Sequence, residues 1–238
     1  MQFGIGILIF IHIMTGSMAL VAFWVPLITR KGRRTHRVVG LVFAYSMMVT
    51  ALTAIVLASI HLLFPSVIQA DTAELRHEQY LFLGWMMLYL GVLALVLIMF
   101  GLKAVRNKGR YHLYKTPSIL FMHGVLALLA LWIFYLGWSE RRVLLIGVAF
   151  IAFLMVPGNI RFILQKPGAK SGGLRREWLY QHFSSMIGAG IAGYSAFLSF
   201  GAAMYLPTQT FNPFLWTIPT ILGVSFMLWL AKRQPRHD

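Results

Sequence analysis

The sequence predicts an all-α integral membrane protein of seven transmembrane helices, N-terminus outside and C-terminus inside, and three observations carry that expectation. Seven long apolar runs recur along the 238 residues, and only 11% of the chain is charged. The mean hydropathy of +0.74 lies outside the range of soluble globular domains. Eighteen of the 21 Lys and Arg residues fall into four segments between the runs, 30–37, 103–115, 161–176 and 232–236. Basic segments resist translocation, so these four are placed inside and the remaining connections outside. The inner segments hold two acidic residues, Glu177 and Asp238, whereas the outer ones hold three basic residues and four acidic ones.

A helix needs about 20 apolar residues to cross the hydrocarbon, and the spans are expected at about 3–29, 37–63, 79–102, 117–138, 142–164, 178–204 and 213–231. The first begins Met1-Gln2-Phe3, lacks a basic n-region and is too long for a signal core, so it reads as a retained helix. After the second, Pro65–Gln79 carries Asp71, Glu74 and Glu78 and is a candidate interfacial helix. Thr116-Pro117 opens the fourth span as an N-cap followed by proline at the first helical position. Ser139-Glu140-Arg141-Arg142 then forms a tight outer turn whose two arginines depart from the charge rule, tolerable because the topology is fixed upstream. A Gly- and Lys-containing basic loop joins the fifth and sixth spans. Trp24, Trp138, Trp178, Tyr180, Tyr205 and Trp216 fall near expected interfaces, as anchoring rings do. The chain reads as a single polytopic domain over 1–238.

Several functions are excluded or disfavoured. The net charge of +15 is topological and attracts anionic inner-leaflet lipid, not nucleic acid. Without cysteine there is no disulfide, thiolate ligand, iron–sulfur cluster or c-type haem attachment. A retinal pigment needs a lysine within the last helix, and 214–231 has none. Carboxylate-coupled transport is disfavoured because each acidic residue lies in a loop or at a helix end. A seven-helix zinc hydrolase would want an intramembrane acid and three ligating histidines; only an inner-face histidine trio keeps that alternative open. The 13 methionines are scattered and read as apolar filling.

The histidines remain. An imidazole within the membrane is costly unless paired or ligated, so each is a candidate functional group. His12 lies on the first span, and His36 caps the second at the inner surface. His123 and His182 are six and four residues into their spans from the inside, which puts both roughly 6–9 Å above the inner boundary. Matched depth on separate helices is what axial ligation of a b-type haem requires. The faces beside them are small, with Ser185, Ala189 and Gly193 following His182, and Ala127 and Ala130 following His123. The plainer alternative, tight helix packing with each imidazole bonded to a neighbouring carbonyl, stays open. His61 and His77 flank the acidic outer connection and are expected to be solvated, as are His112 and His237.

Lys31-Gly32-Arg33-Arg34-Thr35-His36-Arg37-Val38-Val39-Gly40, with Tyr45 and Met47 beyond it, resembles a group of uncharacterised bacterial multi-helix membrane proteins, those sharing domain of unknown function 2306. His182 through Gly188, continuing to Ser195-Ala196-Phe197, resembles a later helix of the same group. The resemblance implies a multi-helix fold in the bacterial inner membrane and draws attention to His12, His36 and His182; it implies no activity. Two functions of different class are expected. In the first, His123 and His182 ligate haem b for electron transfer with a quinone, His12 and His36 are second-site candidates, and Arg37 holds a propionate. In the second, the chain is a non-catalytic accessory or assembly subunit of a larger membrane complex. A small-molecule carrier is a third.

Overall fold

The computed structural model of the chain describes residues 2–64, 77–165, 177–199 and 213–233. The acidic connection at 65–76, the basic loop at 166–176, the expected end of the sixth span, Tyr205 and His237 lie outside the described residues. Among the described residues there are seven α-helices and no strand: α1 Gln2–Ile28, α2 Arg34–Leu63, α3 His77–Asn107, α4 Pro117–Ser139, α5 Val143–Leu164, α6 Glu177–Ser199 and α7 Pro213–Lys232. A short 3-10 helix, Tyr111–Tyr114, lies between α3 and α4. Five of these, α1 to α5, are long and apolar enough to cross a membrane. Gln181, His182, Ser184 and Ser185 make the first turns of α6 more polar, and the apolar part of α7, Thr217–Lys232, is shorter. Large apolar side chains such as Phe10, Val21, Phe121, Leu128 and Leu154 stand exposed around the helices, as a lipid-facing surface requires.

The chain divides into two compact units, 1–95 and 96–238, with the boundary inside α3. In the first unit α1 and α2 pack through small residues: Ala19, Ala44 and Ala58 are fully buried, and a β-carbon at Gly16 would stand 3.4 Å from the Thr50 side chain. Without a hydrophobic drive between helices in lipid, close backbone approach of this kind is what holds them. The α1–α2 turn contains Gly32 at a φ of +78°, where a side chain would be strained. Lys31 crosses back to close the end of α1, its Nζ donating to Pro26 O and Leu27 O at 2.6 Å each. Those carbonyls belong to the last turn and have no partner within the helix. Partial burial of Lys31 there lowers its pKa. The N-terminal half of α3 approaches α2 through Gly84 and Gly91, the latter against Ile55 and the Ala51 carbonyl.

In the second unit the α4–α5 turn is as tight as expected. Arg142 N–H donates to Gly137 O at 2.8 Å, and Arg141 takes the left-handed conformation with φ 52°. Thr116 occupies the N-cap position of α4 in extended conformation and Pro117 the first turn, but the Thr116 hydroxyl makes no capping bond. It lies 3.3 Å from Ser118 Oγ instead, so the expected cap is one of position only. Between α3 and α4 an aromatic cluster fills the space under the 3-10 helix: Tyr114 and Phe162 stand 5.0 Å apart centroid to centroid, Tyr111 and Phe162 5.4 Å, Phe100 and Tyr114 6.1 Å. Most meet edge to face, the arrangement ring quadrupoles favour. Tyr114 is fully buried, and its hydroxyl donates toward Lys108 O at 2.9 Å with Ala104 O at 3.2 Å beside it.

Candidate functional site: histidines at the helix contacts

His12, His36 and Arg37 belong to the first unit, His123 and His182 to the second. His12 Nδ1 lies 3.1 Å from both Thr50 O and Thr53 Oγ1 on α2. A carbonyl oxygen only accepts, so Nδ1 carries the proton. Thr53 directs its own hydroxyl to Val49 O or Thr50 O, both at 2.9 Å, and is left to accept from His12. His36 Nδ1 donates across the inner turn to Pro26 O at 3.2 Å, the same oxygen that takes Lys31. Arg37 is exposed one turn into α2, its backbone N–H bonded to Arg33 O. His61, expected in water, is buried with 8% exposure, because Gly84 lets α3 come up against its ring. His112 is exposed on the 3-10 helix, as expected.

His123 is 2% exposed on α4. Its Nδ1 donates to Ile119 O one turn back at 2.8 Å, which leaves Nε2 as the acceptor. Asn159 Nδ2 on α5 donates to that nitrogen at 3.2 Å. The pairing also settles the amide's orientation, since the Asn159 oxygen would repel the Nε2 lone pair. The Phe100 ring of α3 meets the imidazole edge to face at 5.3 Å. His182 on α6 donates Nδ1–H to Gly101 O at 3.0 Å. The two histidines matched in depth thus touch consecutive residues of α3, one through the Phe100 side chain and the other through the Gly101 carbonyl.

The approach at Gly101 is close. A β-carbon there would stand 2.7 Å from Met186 Cε and 3.1 Å from Ser185 Cβ. Ser185, fully buried, and Gln165 each have a side-chain oxygen with no hydrogen-bond partner among the described residues. Gln165 Nε2 is bonded to Glu177 Oε2 at 2.8 Å. Among the described residues no group of three or more His, Asp or Glu side chains is placed to hold a metal ion.

No protein-family model, curated protein or solved structure matches the chain.

What the histidines can do chemically follows from their tautomers. Nδ1–H bonded to a carbonyl is the arrangement that orients Nε2 toward a metal in many metalloproteins. At His123, however, Nε2 already accepts from Asn159, and Phe100 packs against the ring. Beside it, the groove between α3 and α4 encloses about 20 Å³, where a cofactor-sized ligand needs about 300 Å³ or more. A haem does not fit at His123 in this arrangement.

Asn159, Phe100 and Tyr114 escaped the sequence reading. Asn159 had a signal: it is the one amide in the otherwise apolar run 143–160, and a polar side chain at that depth needs a partner. Phe100 and Tyr114 had none, because aromatic residues near an interface read equally well as anchors.

Proposed function

We propose that the chain is a seven-span protein of the bacterial cytoplasmic membrane, N-terminus outside and C-terminus inside, serving as a non-catalytic accessory or assembly subunit of a larger membrane complex. The observation that carries this reading is the engagement of the histidines. His12, His36 and His182 each donate to a carbonyl of a neighbouring helix, and His123 has both nitrogens bonded. They act as polar clasps between helices, a use of intramembrane hydrogen bonding that needs no cofactor. The charge asymmetry of the loops supports the orientation. The likeness of 31–40 and 182–188 to bacterial multi-helix membrane proteins supports the location. Connections such as 29–33 and 140–142 are too short to form a soluble domain.

A second reading, quinone-linked electron transfer through haem b, has one observation in its favour: His182 is held by a carbonyl through Nδ1 and lies one residue of α3 away from His123's neighbour. His182 would be the ligand on this chain, and His123 would have to release Asn159. One experiment separates the two. Protein purified in mild detergent from haem-replete cells is scanned oxidised and dithionite-reduced, and its native mass and partners are determined. A flat visible spectrum, with a stoichiometric membrane partner whose abundance falls when this chain is deleted, is expected. An α-band corresponding to about one haem per chain, lost in His182→Ala, overturns the accessory reading.

A further inference from the structure

The groove between α3 and α4 has a polarity that the histidine clasps do not use. On α3, Val96, Met99, Phe100 and Lys103 follow at intervals of three and four and line one wall. Ser118, Ile119, Met122 and His123 line the other. The helices run antiparallel here, so Lys103 and Ser118 share the inner end while Met99 and Met122 lie deeper. From Lys103 to Val96 the groove runs roughly 10 Å along the helix. Its inner end is strongly cationic: residues 96–139 contain Lys103, Arg106, Lys108, Arg110 and Lys115 and no acidic residue, and the one carboxylate felt in this connection, Glu177 beside Tyr111, leaves five cations against one anion. The Lys103 ammonium has no ion pair or hydrogen bond among the described residues. The first turn of α4 lacks a side-chain cap, and its N–H groups point toward the same end.

The groove is shallow and half open, with only about 20 Å³ of interior space, so it engulfs no ring system but offers an apolar wall against which a methylene chain can lie. An apolar channel ending in an ammonium, without a partner among the described residues, and a hydroxyl has the charge and shape of one molecule in its surroundings. We propose that the groove between α3 and α4 holds one anionic phospholipid of the inner leaflet, its phosphate on Lys103 and Ser118 and one acyl chain along Met99 and Met122. This rests on the membrane placement proposed above. A zwitterionic lipid carries the same phosphate but adds a quaternary ammonium that the basic end repels, so the site discriminates by net headgroup charge.

The test is native mass spectrometry of the full chain in neutral detergent, titrated with phosphatidylglycerol or with phosphatidylcholine of the same acyl chains. One phosphatidylglycerol per chain is expected to be retained in preference to phosphatidylcholine. Lys103→Gln should weaken retention about fivefold, the effect expected of one cation near the headgroup. Lys103→Arg should restore it, and Arg106→Gln, exposed on the same helix but outside the groove, should leave it within about twofold. Equal losses in Lys103→Gln and Arg106→Gln would mean diffuse attraction and overturn the site, as would equal retention of the two lipids. Ser118→Trp, which fills the inner end, is a second variant; retention undiminished by it also overturns the proposal. Carbonate extraction of cells expressing the chain reports membrane placement separately. A chain that stays in the membrane pellet but shows no headgroup preference sinks the lipid site alone.

Discussion

At the level of single residues, the pairs that fasten helices are those a sequence displays least. His123 is visible as an intramembrane imidazole, but its partner Asn159 lies 36 positions away on α5, and nothing in the spacing joins them. Replacing Asn159 by Leu leaves a buried Nε2 unpaired. We expect a loss of about 1–2 kcal/mol in detergent-driven unfolding, and a coupling of about 1 kcal/mol in a double-mutant cycle with His123→Leu. A coupling near zero would mean that the two side chains are neighbours and not partners. Tyr114 gives a pH-dependent counterpart outside the spans. Burial first, and the nearby Tyr111 second, push its phenol well above the ordinary value of 10, Arg110 opposing only weakly. Three carbonyl oxygens around the hydroxyl favour the protonated form for the same reason. A phenol whose pKa is higher in the folded chain contributes stability below the unfolded value, and that contribution falls as pH rises past 10 and the unfolded chain ionises. Tyr114→Phe should therefore cost about 1 kcal/mol at neutral pH, and denaturation curves at successive pH values should show the gap narrowing above pH 10. A gap independent of pH would contradict the buried-phenol account.

At the level of elements, the glycines divide by what stands opposite them. Gly101 and Gly124 look alike in sequence, each within an apolar helix. Yet a β-carbon at Gly101 meets Met186 and Ser185, whereas one at Gly124 meets nothing within 4 Å. Gly101→Val should push α6 away, break the His182 bond to Gly101 O and cost about 1–3 kcal/mol. Gly124→Ala should be neutral or stabilise by about 0.5–1 kcal/mol through helix propensity. Gly137→Ala should be worse than either, because the added carbon stands 2.9 Å from the Ile146 backbone nitrogen, which cannot rotate away. Thermal or detergent unfolding midpoints for the three variants check the order; Gly124→Ala as damaging as Gly137→Ala would refute the packing described. The helices themselves were legible because an apolar run between charged loops has little choice of structure in lipid. The helices α1 to α5 lie over the first five apolar runs, α3 continuing to Asn107 beyond its own. The facing of helices was not legible, since small residues recur on several faces of each helix and only packing selects among them. For that reason matched depth could bring His123 and His182 to one turn of α3 without revealing that Phe100 and Asn159 would occupy His123.

For the molecule as a whole, the orientation is the property on which the lipid site and the inner basic surface both depend, and the chain is well suited to measuring it. It contains no cysteine, so a single introduced thiol reports one location without background. Gly109 lies in the connection after α3, where a β-carbon meets nothing within 4 Å and the backbone is not left-handed, so Gly109→Cys should be structurally silent. Ser139→Cys places a thiol at the exposed end of α4, across one span from Gly109. In intact cells a membrane-impermeant maleimide should label Ser139→Cys and spare Gly109→Cys, and disruption of the membrane should expose both. The reverse pattern would invert the chain and place five cations of 103–115 outside, against the bias that opposes translocation of basic segments. Arg141 and Arg142 are the sharpest part of this test, since they lie in the turn expected outside. The turn between α4 and α5 has only Glu140, Arg141 and Arg142 between its helices, too few to recross the membrane, so its side is dictated by α4 and not by its own charge. Arg141→Gln together with Arg142→Gln should accordingly leave the labelling pattern unchanged, while Lys103, Arg106, Lys108, Arg110 and Lys115 replaced together by Gln should weaken or mix it. If the arginine pair alone redirects the chain, orientation is being decided at the α4–α5 turn, and the upstream basic segments are not its determinant.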